Sequence, residues 1–365
     1  MIYHIYWGTA GNAGLYMDEI YKCLENEGMK QEAFVNYYYP FNYGHKVFFR
    51  FTEMGHCKKL GKLRNPIRLI ELIGALTHIY ISILWNRPQI INYSLIGIFS
   101  PVVLFLKLIK KTTKSKLIIT CHDVMPFANT IQTFSKQEKM RMTCFQLADY
   151  LLVHNTNSAH ELENSFGIHH DKIIKHPFPI MDMNKIYTPK SETKKYDFLF
   201  MGHLRKEKGI EVLLEAWKLF HVNHPQATLC IAGTAPFGLD VLPYQGMNIT
   251  FFLHFLSDEE YFPLPLQSSY VILPYTSGTN SGVVSTLITT KGTRFITSDL
   301  EMFTSNPLLD KENMFESGNS QALAEKMNRL YGTTPNNDEN KEKIKNYREE
   351  FSKNVVNVYR SLTQK

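Results

Sequence analysis

An α/β architecture of two doubly wound parallel-sheet domains is the fold that this 365-residue sequence predicts. Short apolar runs alternate with helical patterns along the whole chain, the signature of β-α-β units with right-handed crossovers. That rhythm breaks once, at a proline-rich and charged stretch near the middle. Each half also contains an apolar run that ends in a glycine-containing turn and passes at once into an amphipathic helix. The length is sufficient for two separate cores, and a hydrophobic content of 44% with 20% charged residues excludes a disordered chain.

In the first half, residues 2–7 read as a strand, followed by the turn Gly8-Thr-Ala-Gly-Asn-Ala-Gly14 and a helix over about 15–27. A strand over 33–37, a helix over 66–85, a strand over 90–95, a helix over 100–110, a strand over 116–121 and a run over 150–154 complete the series. Residues 176–195 contain Pro177, Pro179, Pro189 and the charged run Lys190-Ser-Glu-Thr-Lys-Lys195, so the linker is placed there. The second series has strands over 198–201, 228–232, 249–252, 270–273 and 294–298. Its helices are expected over 209–221, 258–267, 282–290 and 320–331. The polar tail, 340–362, reads as one long helix. The expected domains are therefore 1–180 and 190–338, with a C-terminal helix over about 340–365.

Charge is uneven. Residues 1–180 hold 20 Lys and Arg against 13 Asp and Glu, a balance of +7, while residues 181–365 hold 20 against 21, or −1. A basic first half favours an anionic surface or partner. The five cysteines are scattered, with neither disulfide nor zinc spacing, so a reducing, cytoplasmic compartment is expected. The start, Met1-Ile-Tyr-His-Ile-Tyr-Trp-Gly8, has no basic leader and no cleavage site, so no secretory signal is expected. Residues 91–109 are nearly long and apolar enough to span a bilayer. Asn92, Ser94, Pro101 and Lys107 interrupt them, and a buried strand feeding a buried helix accounts for them better.

Two segments of the second half suit an anion. In Gly202-His-Leu-Arg-Lys-Glu-Lys-Gly209, a turn beyond a strand end offers Arg205 as a planar fork for a diphosphate and Lys208 as a compact charge. In Pro274-Tyr-Thr-Ser-Gly-Thr-Asn-Ser-Gly-Val-Val284, a small polar loop enters a helix near Gly282, with Ser281 as its cap. Either segment alone reads as a solvated turn or an ordinary cap. Together, at the carboxyl ends of two strands of one sheet, they point to a ligand crevice. In the first half, Ile118-Ile-Thr-Cys-His-Asp-Val-Met-Pro-Phe127 ends a strand in His122 and Asp123, at the edge where open sheets place their sites. Gly8, Gly11 and Gly14 do not have the spacing of a dinucleotide fingerprint.

The second half, from Tyr196 to about Glu325, resembles the donor domain of retaining glycosyltransferases of the GT-B fold, family 4 or group 1-like. The likeness rests on the turn with Arg205 and Lys208 and on the run from Pro274 through Asp299. It implies two Rossmann-like domains facing a central cleft, with the first on the acceptor side, the second binding a nucleotide diphosphate sugar, and the C-terminal helix packing back on the first domain. It also implies donor contacts from Gly202, Arg205, Lys208, Thr279, Asn280, Ser281, Gly282 and Val283. His122 would reach the transferred sugar, and Asp123 would orient its ring or bind an acceptor hydroxyl. Gly11, Asn12 and His154 would lie on the acceptor side; His154 reads equally well as a core histidine. Most of the family carries two glutamates flanking seven residues across the donor helix. This sequence has Thr279 and Leu287 at those places, and resembles a subset with a Ser-Gly-Val helix start.

The implied activity is a hexosyltransferase-type reaction (EC 2.4) with retention of configuration, onto a glycan or lipid-linked hydroxyl, in bacterial surface polysaccharide synthesis. No Asp-x-Asp motif is present, so no metal and no cofactor are expected beyond the donor. An inactive GT-B partner that binds nucleotide or scaffolds a membrane complex is the alternative. The aromatic run Tyr37-Tyr-Tyr-Pro-Phe-Asn-Tyr43 and the basic clusters Lys58–Arg64 and Lys107–Lys116 suit an anionic membrane surface, sugar stacking or a plain solvated face. A peripheral place on the inner face of the cell membrane follows from the first of these. No nucleic-acid module accompanies the clusters.

Overall fold

The computed structural model describes all residues except 10–11, 41–42, 54–57, 96, 123, 125–135, 182–192, 279–280, 291–292, 334–338 and 365. The chain forms two units, Met1–Pro179 with Glu349–Lys365, and Ile180–Arg348.

The first unit is built on strands β1 (Ile2–Tyr6), β2 (Gln31–Asn36), β3 (His45–Phe48), β4 (Ile90–Ser94), β5 (Lys116–Thr120), β6 (Tyr150–Val153) and β7 (Ile173–Lys175). They form one parallel sheet in the order β3-β2-β1-β4-β5-β6-β7, with Ile2 opposite both Gln31 and Ile90. All five residues of β1 and of β4 are buried, because helices cover both faces. Helices α1 (Asn12–Asn26), α2 (Arg64–Asn86), α3 (Ser100–Thr112), α4 (Lys136–Leu147) and α5 (Thr156–Phe166) follow in chain order. Residues of α2 to α5 share one core with Trp7, Phe34 and Ile119. On the other face, Tyr16, Ile20 and Leu24 of α1 pack with Val355, Tyr359 and Leu362.

The apolar run 91–109 resolves as expected into β4 and α3, with Pro101 in the first turn of the helix. Asn155 caps α5 by accepting from Ser158 N–H at 2.8 Å, and Gly167, at φ 62°, closes it. In this unit, β3, β7, α4 and α5 are additional to the sequence expectation. Strand β3 is a half-exposed edge with no apolar run, and β7 has three residues only. Helix α4 lacks an amphipathic period, and α5 follows directly on the end of β6.

The second unit holds β8 (Tyr196–Met201), β9 (Leu229–Ala232), β10 (Ile249–Phe252), β11 (Ser268–Leu273), β12 (Arg294–Ser298) and β13 (Met314–Phe315). Their order is β10-β9-β8-β11-β12-β13, all parallel. Helices α6 (Ile210–His221) and α8 (Ser320–Leu330) cover one face around Trp217, Phe220 and Met327. Helix α7 (Gly282–Leu287) covers the other with Val284 and Leu287. The expected helix over 258–267 is split into Asp258–Tyr261 and Pro263–Leu266, because Pro263 and Pro265 cannot donate to the preceding turn. Helix α7 stops three residues short of expectation, where the Thr289 hydroxyl turns to Met181 O at 2.8 Å. The C-terminal helix α9 runs over Glu339–Gln364, and its part from Glu349 onward belongs to the first unit.

In both sheets, chain order reverses beside the first strand, between β1 and β4 and between β8 and β11. At such switch points the loops beyond the carboxyl ends splay to opposite faces and leave room for a ligand.

Candidate functional site

The second unit's switch point is assembled from the two segments singled out in the sequence. Strand β8 ends at Met201, and Gly202 then adopts φ 130°. A side chain at the neighbouring Gly233 would place its Cβ 1.8 Å from Gly202 O, so two strand ends meet backbone to backbone. The chain turns through Arg205, Lys206, Glu207 and Lys208 to Gly209 (φ 68°), where α6 begins. A Cβ at Gly209 would lie 1.7 Å from Pro274 O at the end of β11. Thr276 N–H also donates to Glu207 O at 3.0 Å. The basic turn and the polar loop after β11 are therefore fastened together.

The cations lie at this junction. Lys208 Nζ sits 3.8 Å from the centroid of the Tyr275 ring, a cation–π contact that holds the ammonium over the loop. Arg205 is half-buried, with Nη1 3.3 Å from Glu207 Oε1. Beneath Lys208, Ser281 Oγ donates to Tyr275 Oη at 3.4 Å and accepts from Val284 N–H at 3.4 Å. Burial pushes the Tyr275 phenol up to about 12, so it stays protonated at neutral pH. His203 is bonded to the Thr234 hydroxyl; burial and then Arg205 and Lys208 lower its pKa. Gly202 and Val283 face each other, since a Cβ on Gly202 would lie 3.8 Å from Val283 Cγ2. With six residues, α7 contributes the N–H groups of its first turn more than a macrodipole. Leu287 is fully buried in the core. Thr279 and Asn280 lie outside the described residues.

In the first unit, His122 follows β5 and His154 follows β6. Their rings stack at 5.2 Å, with His122 Nδ1 3.0 Å from His154 Nε2. His154 Nδ1 lies 3.3 Å from His176 O. A carbonyl only accepts, so His154 carries its proton on Nδ1. Its Nε2 then accepts from His122 Nδ1–H, which leaves His122 Nε2 as an acceptor nitrogen. Burial holds His122 down to about 4 and His154 well below the ordinary range, so both rings are neutral at pH 7. Tyr16 and Phe178 pack on His154 at 4.6 and 4.8 Å. His154 is thus held between aromatic rings and the His176 carbonyl.

Asp123 and Gly11 lie outside the described residues, and Asn12 opens α1. The glycine turn after β1 also makes room for a side chain: a Cβ on Gly8 would fall 2.4 Å from Tyr6 Oη. Tyr275, His203, Tyr16 and His176 join these groups without having been singled out. Tyr275 stood within the polar run, and His176 stood within the expected linker, but neither spacing reports a ring stacked on a residue far along the chain. Among the described residues, the His, Cys, Asp and Glu side chains close enough to share a metal are the exposed His169, His170 and Asp171. They precede β7, at the sheet edge opposite to that of His122.

Residues 184–351 match the family described as Glycosyl transferases group 1. A search of curated proteins finds no match to the chain. Among solved structures, the chain is similar to the sucrose-phosphate synthase of Thermosynechococcus elongatus, with 15% identity, a TM-score of 0.63 and 99% of each chain covered. It is also similar to Anabaena HepE in complex with UDP and glucose, with 15% identity, a TM-score of 0.56 and 99% and 98% of the two chains covered. A third similar structure is the UDP-GlcNAc 2-epimerase of Neisseria meningitidis bound to UDP-GlcNAc, with 11% identity, a TM-score of 0.51 and 100% of both chains covered. The chain has the GT-B fold, its residues 184–351 match the group 1 glycosyl transferases, and the two findings together support a glycosyltransferase.

Proposed function

We propose that the protein transfers a sugar from a nucleoside diphosphate sugar to a hydroxyl of a glycan or lipid-linked acceptor, with retention of anomeric configuration. The observation that carries this reading is the fastening of the Arg205–Lys208 turn to the Tyr275–Ser281 loop at the switch point of the second sheet. A cationic spot fixed by backbone contacts suits the charge that grows on a departing diphosphate. Arg205 supplies a planar fork, Lys208 a point charge, and the first-turn N–H groups of α7 further donors. Neutral Tyr275 keeps its proton and stays a hydrogen-bond partner, with no charge to oppose the anion.

In this reading the bond from the anomeric carbon to the diphosphate oxygen breaks as the acceptor oxygen bonds to the same face of that carbon. The acceptor proton passes to the departing diphosphate. No enzyme nucleophile is required. His122, neutral and with Nε2 accepting, is assigned to a hydroxyl of the transferred sugar, and the His154–His176 relay fixes its tautomer. The reaction needs no metal and no cofactor, so turnover is expected to persist in a chelator. Cytoplasmic synthesis of a bacterial surface polysaccharide is the setting proposed.

UDP is the first nucleotide to try, because HepE was solved with it. UDP and UDP-sugars are expected to raise the melting temperature, and a donor and acceptor panel to give a product whose anomeric proton matches the donor. Arg205→Ala removes a charge-assisted contact of about 1.5–3 kcal/mol and should cut turnover roughly ten- to hundredfold. Unchanged turnover in that variant overturns the assignment. Nucleotide binding without turnover on any acceptor favours an inactive partner protein.

A further inference from the structure

We infer that the outer face of α2 and α3 is a docking surface for an anionic lipid bilayer. Helix α2 has two apolar stripes. Leu72, Ala75, Leu76, Ile79 and Ile83 are buried against the sheet. On the opposite side Ile70, Ile73, Ile81, Leu84 and Trp85 are exposed, with Trp85 at 86%. Positions 70, 73, 77, 81 and 84 follow the helical period, so they form a single stripe. It spans about 22 Å between residues 70 and 85.

Helix α3 lies beside α2. Its Thr112 hydroxyl is 2.8 Å from Tyr80 Oη, and the inner stripes of both helices enter the same core. With both helices seated on one sheet face, their outer stripes look the same way. Leu104 and Leu108 of α3 are exposed on the stripe that also carries Lys107 and Lys111.

Charge identifies the occupant. From residue 54 to residue 122 the sequence holds eleven Lys and Arg and one acidic residue, Glu71. That carboxylate is engaged by Phe51 N–H at 2.7 Å and by the Thr52 hydroxyl. Lys62, Arg87, Lys107, Lys111 and Lys114 are exposed around the apolar stripe. A second copy of this face would bring cations against cations. A plane of anionic headgroups over hydrocarbon satisfies both the charges and the apolar side chains, with Trp85 at the interface. Among the described residues, Leu60–Asn86 is the helical stretch long and apolar enough to cross a membrane. Its inner stripe is part of the core, so α2 lies on the bilayer and does not cross it.

The test uses the full chain with phosphatidylcholine vesicles, with and without phosphatidylglycerol. Trp7 and Trp217 are buried and Trp85 is exposed, so a blue shift of emission on adding vesicles reports Trp85. The expected result is co-sedimentation and a blue shift with the anionic vesicles, weakened by salt. Ile70→Ser combined with Ile81→Ser should weaken vesicle binding about tenfold or more, with the melting temperature retained because both sites are exposed. Lys107→Glu with Lys111→Glu should remove the preference for anionic lipid. No binding to either vesicle, or a dimer in solution that the apolar double variant dissolves while vesicles are ignored, overturns the inference. UDP binding is measured on the same samples and depends on neither outcome.

Discussion

Lowering the pH from 7 to 5 should loosen the C-terminal helix from the first sheet, and His4 on β1 is the group that does it. His4 is fully buried. Its Nε2 lies 3.1 Å from Gln31 Oε1, and Gln31 donates its own amide to Tyr21 O at 2.7 Å, so Gln31 Oε1 accepts and His4 Nε2 carries the proton. His4 Nδ1 then accepts from Asn92 Nδ2 at 3.4 Å. The same amide donates to Tyr359 Oη on α9 at 2.8 Å, while Asn92 Oδ1 accepts from Thr120 at 2.9 Å. Protonating Nδ1 sets two donors against each other. Asn92 can restore the contact only by turning over its amide, which makes the Tyr359 and Thr120 hydroxyls exchange their donor and acceptor roles.

Burial holds the His4 pKa down to about 4, against 6.5 for an ordinary histidine. The unfolded chain binds more protons between these values, so stability is full above pH 6.5 and falls as the pH drops towards 4. At pH 5 the penalty is 1.5 pH units at 1.36 kcal/mol each, about 2 kcal/mol from His4 alone. His176, almost fully buried with a pKa of about 4, acts in the same direction. The assay is urea unfolding at pH 7 and 5 with amide exchange across residues 351–362. His4→Gln should be less stable at pH 7, yet lose about 2 kcal/mol less than the wild type on acidification. Equal acid losses in the two proteins, or exchange in 351–362 indifferent to pH, would refute the reasoning.

Two further outcomes follow from the geometry. Gly209→Ala combines a left-handed φ of 68° with a Cβ 1.7 Å from Pro274 O, and should destabilise the second unit by about 3 kcal/mol or more and weaken UDP binding. Gly238→Ala, at φ 75° with nothing within 4 Å, should cost only about 1–2 kcal/mol; equal losses in urea titrations of the two variants would deny the contact its role. His122→Asn should lower kcat at least tenfold with little change in melting temperature. A large fall in melting temperature at unchanged kcat would make His122 a packing residue.

The sequence by itself determined the parallel α/β character of both units, because strands covered on two faces must be apolar throughout and their crossovers must be amphipathic. It also marked the Arg205–Lys208 turn, the loop to Ser281 and the strand end at His122, since glycine, cap and charge spacing are local properties. Sequence missed β3 and β7, whose pairing is supplied by a neighbour strand and not by their own pattern, and it missed the prolines' division of 258–267. Only the tertiary structure decided that Lys208 rests on Tyr275, that Gly209 abuts Pro274, that His176 fixes the tautomer of His154, and that α2 turns one of its two apolar stripes outward. Each of these joins residues far apart in the chain, and a distance across space is set by how the sheet packs its helices, which no single stretch of sequence records.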